Sequence, residues 1–111
     1  MEIIKASKEF NKRELYKLTK GDTESIQNAA GLVINLDCFI EYADVKQKGE
    51  EVEILAIMDK SGTVYSTISQ TFKQRFYEII DIFGTGEELP GILVTEGRSK
   101  AGRSYMSCTI E

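Results

Sequence analysis

Residues 71–84 read TFKQRFYEIIDIFG, and the interpretation of the whole chain depends on this stretch. Its large apolar side chains recur with the 3.6-residue period of a helix and form a single stripe. The stripe consists of Phe72, Phe76, Ile79, Ile80 and Phe83. Thr71 with Gln74 fits a capping box at the start of this helix, and Gly84 fits a left-handed residue at its end. A helix this apolar must lie against a sheet or close the end of a barrel.

Three stretches before this helix alternate apolar and polar residues with the period of a β-strand. They cover residues 32–45, 51–59 and 63–68. The first is longer than an ordinary strand, which predicts a bend or a bulge within it. Its predicted core face consists of Leu32, Ile34, Leu36, Cys38, Ile40 and Tyr42. Two further strands are predicted after the helix, at residues 91–97 and 104–111.

A short basic helix is predicted ahead of these strands. Asn11 and Glu14 fit a capping box at its start, and Gly21 fits a stop. The remaining order, β-β-β-α-β-β, is that of the OB-fold, a mainly β fold with a five-stranded antiparallel barrel. We therefore expect a single domain over residues 1–111, with the basic helix and a connector in 1–30 and the barrel in 31–111. A different α+β sheet could have the same order of elements.

Composition excludes several kinds of site. The 111 residues include no histidine, which excludes His-based acid–base catalysis, Ser-His and Cys-His pairs, and most transition-metal sites. Cys38 and Cys108 lie in apolar strand-like segments and are predicted to be buried free thiols. No apolar run is long enough to span a bilayer, and the N-terminus lacks the apolar segment of a signal peptide. We expect a protein of the bacterial cytoplasm that does not enter a membrane.

Charge is unevenly distributed along the chain, although the net charge is −4. Residues 1–20 hold six lysines and arginines against three glutamates, and residues 97–105 hold three basic residues and no acidic one. Residues 21–96 hold five basic and fourteen acidic residues. A local basic region is what binding to phosphates requires, so the overall negative charge does not exclude a nucleic acid. The alternative is that these segments are simply solvated.

Two predicted loops concentrate basic residues where an OB-fold binds its ligand. OB-folds hold oligonucleotides on the face of the second and third strands, between the first-to-second and fourth-to-fifth strand loops. In this chain those loops are residues 45–50 and 97–103. Their basic residues are Lys46, Lys48, Arg98, Lys100 and Arg103. Both loops are basic within an otherwise acidic region, which favours a nucleic-acid interface over a solvated surface.

Three aromatic residues interrupt predicted polar faces of the strands. They are Phe39, Tyr65 and Tyr105. Aromatic rings on such faces can stack bases of a single strand, each stack contributing roughly 1–3 kcal/mol. The alternative for each ring is packing under a loop or against the N-terminal helix. Leu55 and Ile57, on the same predicted face, could add apolar contacts or be covered by that helix.

Enzymatic alternatives have little support in the residue pattern. Asp37 with Glu41, and Glu51 with Glu53, are carboxylate pairs of the kind that a Mg²⁺-dependent nuclease could use. An acidic outer face is the more ordinary explanation. The GTG sequence at 84–86 lacks the Lys-Ser/Thr of a phosphate-binding loop and follows a helix instead of preceding one. We expect a protein that is not an enzyme and needs no cofactor or metal.

Two sequence strings carry a resemblance to a known family. VYSTISQTF, together with the helix after it, and GRSKAGRSYMSC resemble small single-stranded DNA-binding proteins of phages and mobile elements of Gram-positive bacteria. The resemblance spans roughly residues 8–110. It implies an OB-type fold, sequence-independent binding of single-stranded DNA, and a role in replication or recombination. The residues that it identifies are Tyr65, Thr67, Ser69, Arg98, Ser99, Lys100, Arg103 and Tyr105.

The leading hypothesis is therefore a protein that coats single-stranded DNA, with replication proteins or further copies of the chain as candidate partners. Many proteins of this kind end in an acidic tail that recruits partners. This sequence ends at Glu111, just past its last strand, so tail-mediated recruitment is not expected. The alternative is a small protein-binding module, such as a phage-encoded inhibitor or adaptor that acts through its acidic surface.

Overall fold

The computed structural model describes residues 1–45, 49–84 and 89–111. In these residues the chain forms seven β-strands, two α-helices and one short 3₁₀ helix. In chain order they are β1 (Glu2–Ala6), α1 (Lys12–Thr19), β2 (Glu24–Ser25), the 3₁₀ helix (Ile26–Ala29), β3 (Val33–Val45), β4 (Glu51–Asp59), β5 (Val64–Thr67), α2 (Gln70–Phe83), β6 (Gly91–Arg98) and β7 (Ser104–Ile110). The mainly β class is confirmed.

The strands form one curled sheet, a half-barrel, in the order β2-β5-β4-β3-β6-β7, with β1 also paired to β3. The five predicted strands correspond to β3–β7, and the long helix lies between β5 and β6 as expected. The predicted count of five is wrong, because β1 pairs with β3 and the two-residue β2 pairs with β5. The β2–β5 pairing is parallel, so the sheet is not wholly antiparallel either.

A bulge in β3 divides its side chains between two hydrophobic clusters. The pairing with β4 shifts register between Leu36 and Cys38, which leaves Asp37 as the extra residue. An extra residue reverses the alternation of faces beyond it. Ile34 and Leu36 before the bulge, and Phe39 after it, belong to the main core. The predicted irregularity is thus confirmed, but the predicted single core face of this strand is wrong after residue 37, and Leu32, also expected on it, is 55% exposed.

The helix α2 contributes the largest fully buried side chains of the main core. Phe72 and Phe76 are fully buried, Ile80 is buried and Ile79 packs against them. The cap is Ser69 and not Thr71, because the Ser69 hydroxyl accepts a hydrogen bond from the Phe72 amide at 3.2 Å. Gly84 ends the helix with a positive φ of +79°, which favours the glycine predicted there. Phe83 was expected in the core but is 45% exposed, since the last turn extends past the last buried residue.

The helix α1 packs on the other side of the sheet. Asn11 caps it and forms the predicted capping box with Glu14. Its Leu18 is fully buried in a second cluster with Ile40, Tyr42, Ala56 and Val64, from β3, β4 and β5. The sheet is therefore covered on both faces along these strands, by α2 on one and α1 on the other.

Cys38 and Cys108 are both buried and free, as predicted. Burial raises the pKa of each thiol to about 12, so both stay protonated at neutral pH. Neither helix of the described residues is long and apolar enough to cross a membrane.

Candidate nucleic-acid interface

One face of β3, β4 and β5 is covered by α1. The outward side chains of β4 and β5, Ala56 and Val64, pack against Leu18 of α1. The Tyr42 hydroxyl donates to the backbone oxygen of Thr19 at 3.3 Å, which ties the end of α1 to β3. An oligonucleotide on this side would meet the helix and not the strands. The face on which we expected it, that of Leu55 and Ile57, turns toward the main core instead, so the predicted open face of the second and third strands is wrong.

The second predicted basic loop is a tight hairpin between β6 and β7. The Ser99 amide donates to the Arg103 carbonyl oxygen at 2.8 Å, and the Gly102 amide donates to the Ser99 carbonyl oxygen at 2.9 Å. The Ser99 hydroxyl also accepts from the Arg103 amide at 3.3 Å, and Gly102 has a φ of +81°. These bonds order the turn and leave Arg98, Lys100 and Arg103 exposed on it. The structure thus brings the three cations together on one short turn.

Tyr105 lies flat across the opposite strand of the same hairpin. It pairs with Gly97, and a Cβ atom on Gly97 would come within 2.5 Å of the tyrosine Cζ. A side chain at 97 would therefore clash with the ring in this position, and glycine makes room for it. Tyr105 remains 41% exposed. Its ring offers a flat aromatic surface near Arg98, because Arg98 pairs with Ser104, the residue before Tyr105.

Strand register separates the hairpin residues into two faces. Glu96 pairs with Met106 and Arg98 with Ser104, so these four share the face that carries the buried Val94 and Cys108. Gly97 and Tyr105 lie on the reverse face. Arg98 therefore projects from the inner face of the half-barrel, beyond its last buried residues.

Phe39 is a core residue, contrary to the prediction that it stacks a base. It is 2% exposed and makes an edge-to-face contact with Phe76, with ring centroids 5.0 Å apart. The bulge at Asp37 turns Phe39 inward, together with the paired residues Leu55 and Ile57 on β4. All three are unavailable to a ligand.

Tyr65 and Thr67 of β5 lie on the side of the strand that faces the main core. Tyr65 is half-buried against that core, and Thr67 is half-buried near the end of the strand. Burial and the nearby Asp59 and Glu24 carboxylates raise the pKa of Tyr65, so its ring stays neutral. The Thr67 hydroxyl accepts a hydrogen bond from the Ser69 amide at 3.0 Å. Both side chains keep a partly open surface.

The basic residues differ in how far they are already neutralised. Lys8 pairs with Glu14 at 2.7 Å and Lys20 pairs with Asp44 at 3.1 Å. The Lys20 ammonium holds the pKa of Asp44 below its usual range. None of the ion pairs found in residues 1–45, 49–84 and 89–111 involves a cation of the hairpin. The predicted loop cations Lys46 and Lys48 lie outside the described residues.

The carboxylate pairs do not converge on a metal site. Glu41 is buried and accepts hydrogen bonds from Lys73 and Tyr77, so its carboxylate belongs to the protein interior. In the part of the chain that the structure describes, no three His, Cys, Asp or Glu side chains are placed to hold one ion.

A groove that sequence patterns did not predict runs between the two ends of the sheet. One wall is formed by β5, the residues after it and the start of the 3₁₀ helix; the other wall is the start of β7. Two adjoining cavities of about 450 and 400 Å³ share Gln27, Ser69 and Met106, so the groove is continuous. We call it the seam. Gln27 escaped prediction because it lies in a polar connector without periodicity, and Ser104 because only the pairing of β6 with β7 places it here.

The family model described as phage single-stranded DNA-binding protein matches residues 2–111 of the chain. No curated protein and no solved structure matches the chain significantly.

Proposed function

The chain belongs to the family of phage single-stranded DNA-binding proteins, and from that premise we propose that it coats single-stranded DNA without regard to sequence during replication or recombination. It does so as one OB-fold-like domain, in the cytoplasm of the host cell, and performs no catalysis of its own. Copies of the chain and replication proteins are the partners that such a role calls for.

The observation that carries this proposal is the β6–β7 hairpin. Three exposed cations, Arg98, Lys100 and Arg103, lie on one ordered turn, and the exposed ring of Tyr105 lies at its base. Binding without sequence preference needs positive charge for phosphates and aromatic surfaces for bases, and both are present within a few residues. Neither group reads the identity of a base, because phosphates and ring faces are common to all nucleotides.

Each side chain of the hairpin has a distinct part in this function. The Arg98 and Arg103 guanidinium groups can each bind a phosphate through two parallel hydrogen bonds, and Lys100 adds a point charge. The Ser99 hydroxyl accepts from the Arg103 amide, which leaves its own hydrogen free to donate to a phosphate oxygen. Tyr105 stacks a base, and Tyr65, Thr67, Lys46 and Lys48 are secondary contacts.

Replacing Arg98, Lys100 and Arg103 together with Ala is expected to weaken binding to a labelled oligo-dT and to reduce its salt dependence. The slope of log K against log salt is about −0.7 per neutralised phosphate for single strands, so losing three contacts should make it shallower by about two. The measurement is fluorescence anisotropy across a salt series that begins at low ionic strength.

The matched control removes the same charge from α1. Lys12, Arg13 and Lys17 are exposed on that helix, and alanine is compatible with it. This variant should keep a slope near that of the parent protein. An equal loss in both variants would show that net charge and not the hairpin governs binding. The absence of binding by the parent protein at low salt would refute the proposed function itself.

Gly97→Ala is expected to weaken DNA binding without lowering stability. The new Cβ would lie 2.5 Å from Cζ and 2.6 Å from the hydroxyl of Tyr105, so the ring must leave its position. Alanine itself fits a strand better than glycine, by roughly 0.5–1 kcal/mol. Oligonucleotide affinity and thermal unfolding, measured on the same samples, separate the two effects.

A double-variant cycle with Tyr105 tests the reason for this loss. Tyr105→Ala should itself cost about 1–3 kcal/mol of binding, the range for one stacked base. If Gly97 acts only by seating the ring, adding Gly97→Ala to Tyr105→Ala should change affinity no further. Additive losses would mean that the backbone at 97 contacts DNA directly.

A further inference from the structure

The seam is a recess beside the hairpin, and its chemistry differs from that of the hairpin. Its walls carry the hydroxyl groups of Ser25, Thr67, Ser69 and Ser104 and the amide of Gln27, with Met106 at its centre. These groups donate and accept hydrogen bonds but bear no charge. They suit the edges and faces of bases better than phosphates, which bind most strongly to cations.

A carboxylate at the hairpin end of the seam strengthens this distinction. Glu96 lines the cavity that also contains Gln27 and Ser104, and it shares a face with Arg98. A carboxylate repels phosphate oxygens but accepts hydrogen bonds from the exocyclic amino groups of bases. Arg98, one register position further out, can hold a phosphate at the mouth. From the hairpin inward, a bound strand would thus meet the Arg98 cation first, and then the Glu96 carboxylate and the uncharged hydroxyl and amide groups of the seam.

One alternative path for a bound strand, across the outer face of the sheet, is closed. The outer face of β3, β4 and β5 is buried under α1, with Leu18 inaccessible to solvent. In the described residues, no strand pairs with the free edge of β7. The seam, by contrast, is an open recess that continues directly from the hairpin into the half-barrel.

We propose that bases of the bound strand enter this seam between β5 and β7 while its phosphates stay on the β6–β7 hairpin. The inference rests on the proposed function and adds the path of the strand and two contact residues, Gln27 and Ser104. Each cavity of the seam is as large as common small-molecule sites, so it has room for the flat ring of a base.

The chain contains no tryptophan, so single tryptophans introduced at chosen positions report base contact without background. Gln27→Trp places the reporter in the seam, and Gln27 is exposed on its 3₁₀ helix, which makes the change compatible with folding. Tyr16→Trp places a matched reporter on the exposed face of α1, where Tyr16 is 66% exposed. Ser104→Trp supplies a second seam reporter on the opposite wall.

Titration with oligo-dT is expected to quench the indole fluorescence of the Gln27→Trp and Ser104→Trp proteins by at least half. The Tyr16→Trp protein should stay within a tenth of its starting intensity. A folded Gln27→Trp protein that has lost oligo-dT binding, beside a Tyr16→Trp protein that keeps it, also supports the seam, since the indole then occupies the place of a base. Quenching of the α1 reporter but of neither seam reporter would overturn the inference.

An abasic oligonucleotide of the same length separates bases from phosphates. It keeps the phosphates and should leave the seam reporters unchanged; quenching by it would overturn the assignment of bases to the seam. Anisotropy on the parent protein is recorded in parallel. If the parent protein binds oligo-dT normally but neither seam reporter is quenched, only the placement of bases in the seam is rejected. If the parent protein does not bind oligo-dT, the proposed function itself is rejected.

Discussion

Replacing Phe76 with Ala is expected to lower the free energy of unfolding by about 3–5 kcal/mol. Phe76 is fully buried, lies edge-to-face with Phe39 at 5.0 Å and stacks on Phe72 at 6.3 Å between ring centroids. Removing the ring leaves a cavity between α2 and β3 that rigid strands cannot fill. Small domains have about 5–15 kcal/mol of stability in total, so this loss is a large part of it. Chemical denaturation followed by circular dichroism measures it.

The control for this prediction lies on the same helix. Ile82 is 82% exposed, so Ile82→Ala should change stability by no more than about 0.5 kcal/mol. A loss below about 1 kcal/mol for Phe76→Ala, well under the range for a buried phenylalanine, would contradict the central place of α2 in the core. Binding data on the Phe76 variant are meaningful only at temperatures where it remains folded.

Lys73→Met is expected to destabilise the protein by a similar amount, about 3–5 kcal/mol, for a different physical reason. Lys73 is 3% exposed, and its ammonium lies 3.2 Å from a Glu41 carboxylate oxygen and 3.1 Å from the Glu53 carbonyl oxygen. Methionine would fill the space of the lysine but leave the Glu41 charge buried without its partner. Denaturant unfolding at neutral pH measures the loss.

The compensating variant distinguishes a buried charge from a lost contact. Tyr77 donates to the other Glu41 oxygen at 2.6 Å, and Glu41→Gln keeps a carbonyl oxygen for that bond. Burial and the bond to Glu41 raise the pKa of Tyr77, so the phenol stays protonated and remains a donor. The double variant Lys73→Met with Glu41→Gln should therefore recover most of the stability lost by Lys73→Met.

An exposed ion pair on the same helix provides the comparison. Arg75 and Glu78 are 3.6 Å apart and mostly exposed, so Arg75→Met should cost no more than about 1 kcal/mol. If Lys73→Met also cost so little, water would have to reach the buried carboxylate. If the double variant were no more stable than Lys73→Met, the loss would come from packing and not from charge.

Much of the fold could be predicted because the helices carry clear local signals in the sequence. The period of the apolar residues identified α2, and Asn11 with Glu14 identified α1. The strand β1 was missed because all five of its residues are exposed, so that it shows no buried face. The buried pairing of Lys73 with Glu41 was not predicted, because a single residue does not reveal a partner 32 positions away.

The candidate site was predicted in part, for reasons that differ from residue to residue. The hairpin cations adjoin in sequence as they do in space, so Arg98, Lys100 and Arg103 could be grouped at once. Phe39 was misplaced because the bulge at Asp37 reverses the faces of β3, and a bulge leaves no mark on the alternation pattern. The covering of the outer sheet by α1 depends on tertiary packing, which residue spacing alone does not specify.

The strand β3 also determines when the sheet can be completed as the chain folds. It pairs with β1 near the start of the sequence, with β4 next to it, and with β6 through Val33 and Leu93. Pairing between such distant segments slows folding, because a long loop must close before the contact forms. During synthesis, residues 33–35 have no partner on one edge until β6 has left the ribosome. Until then, the main core lacks Ile92 and Val94.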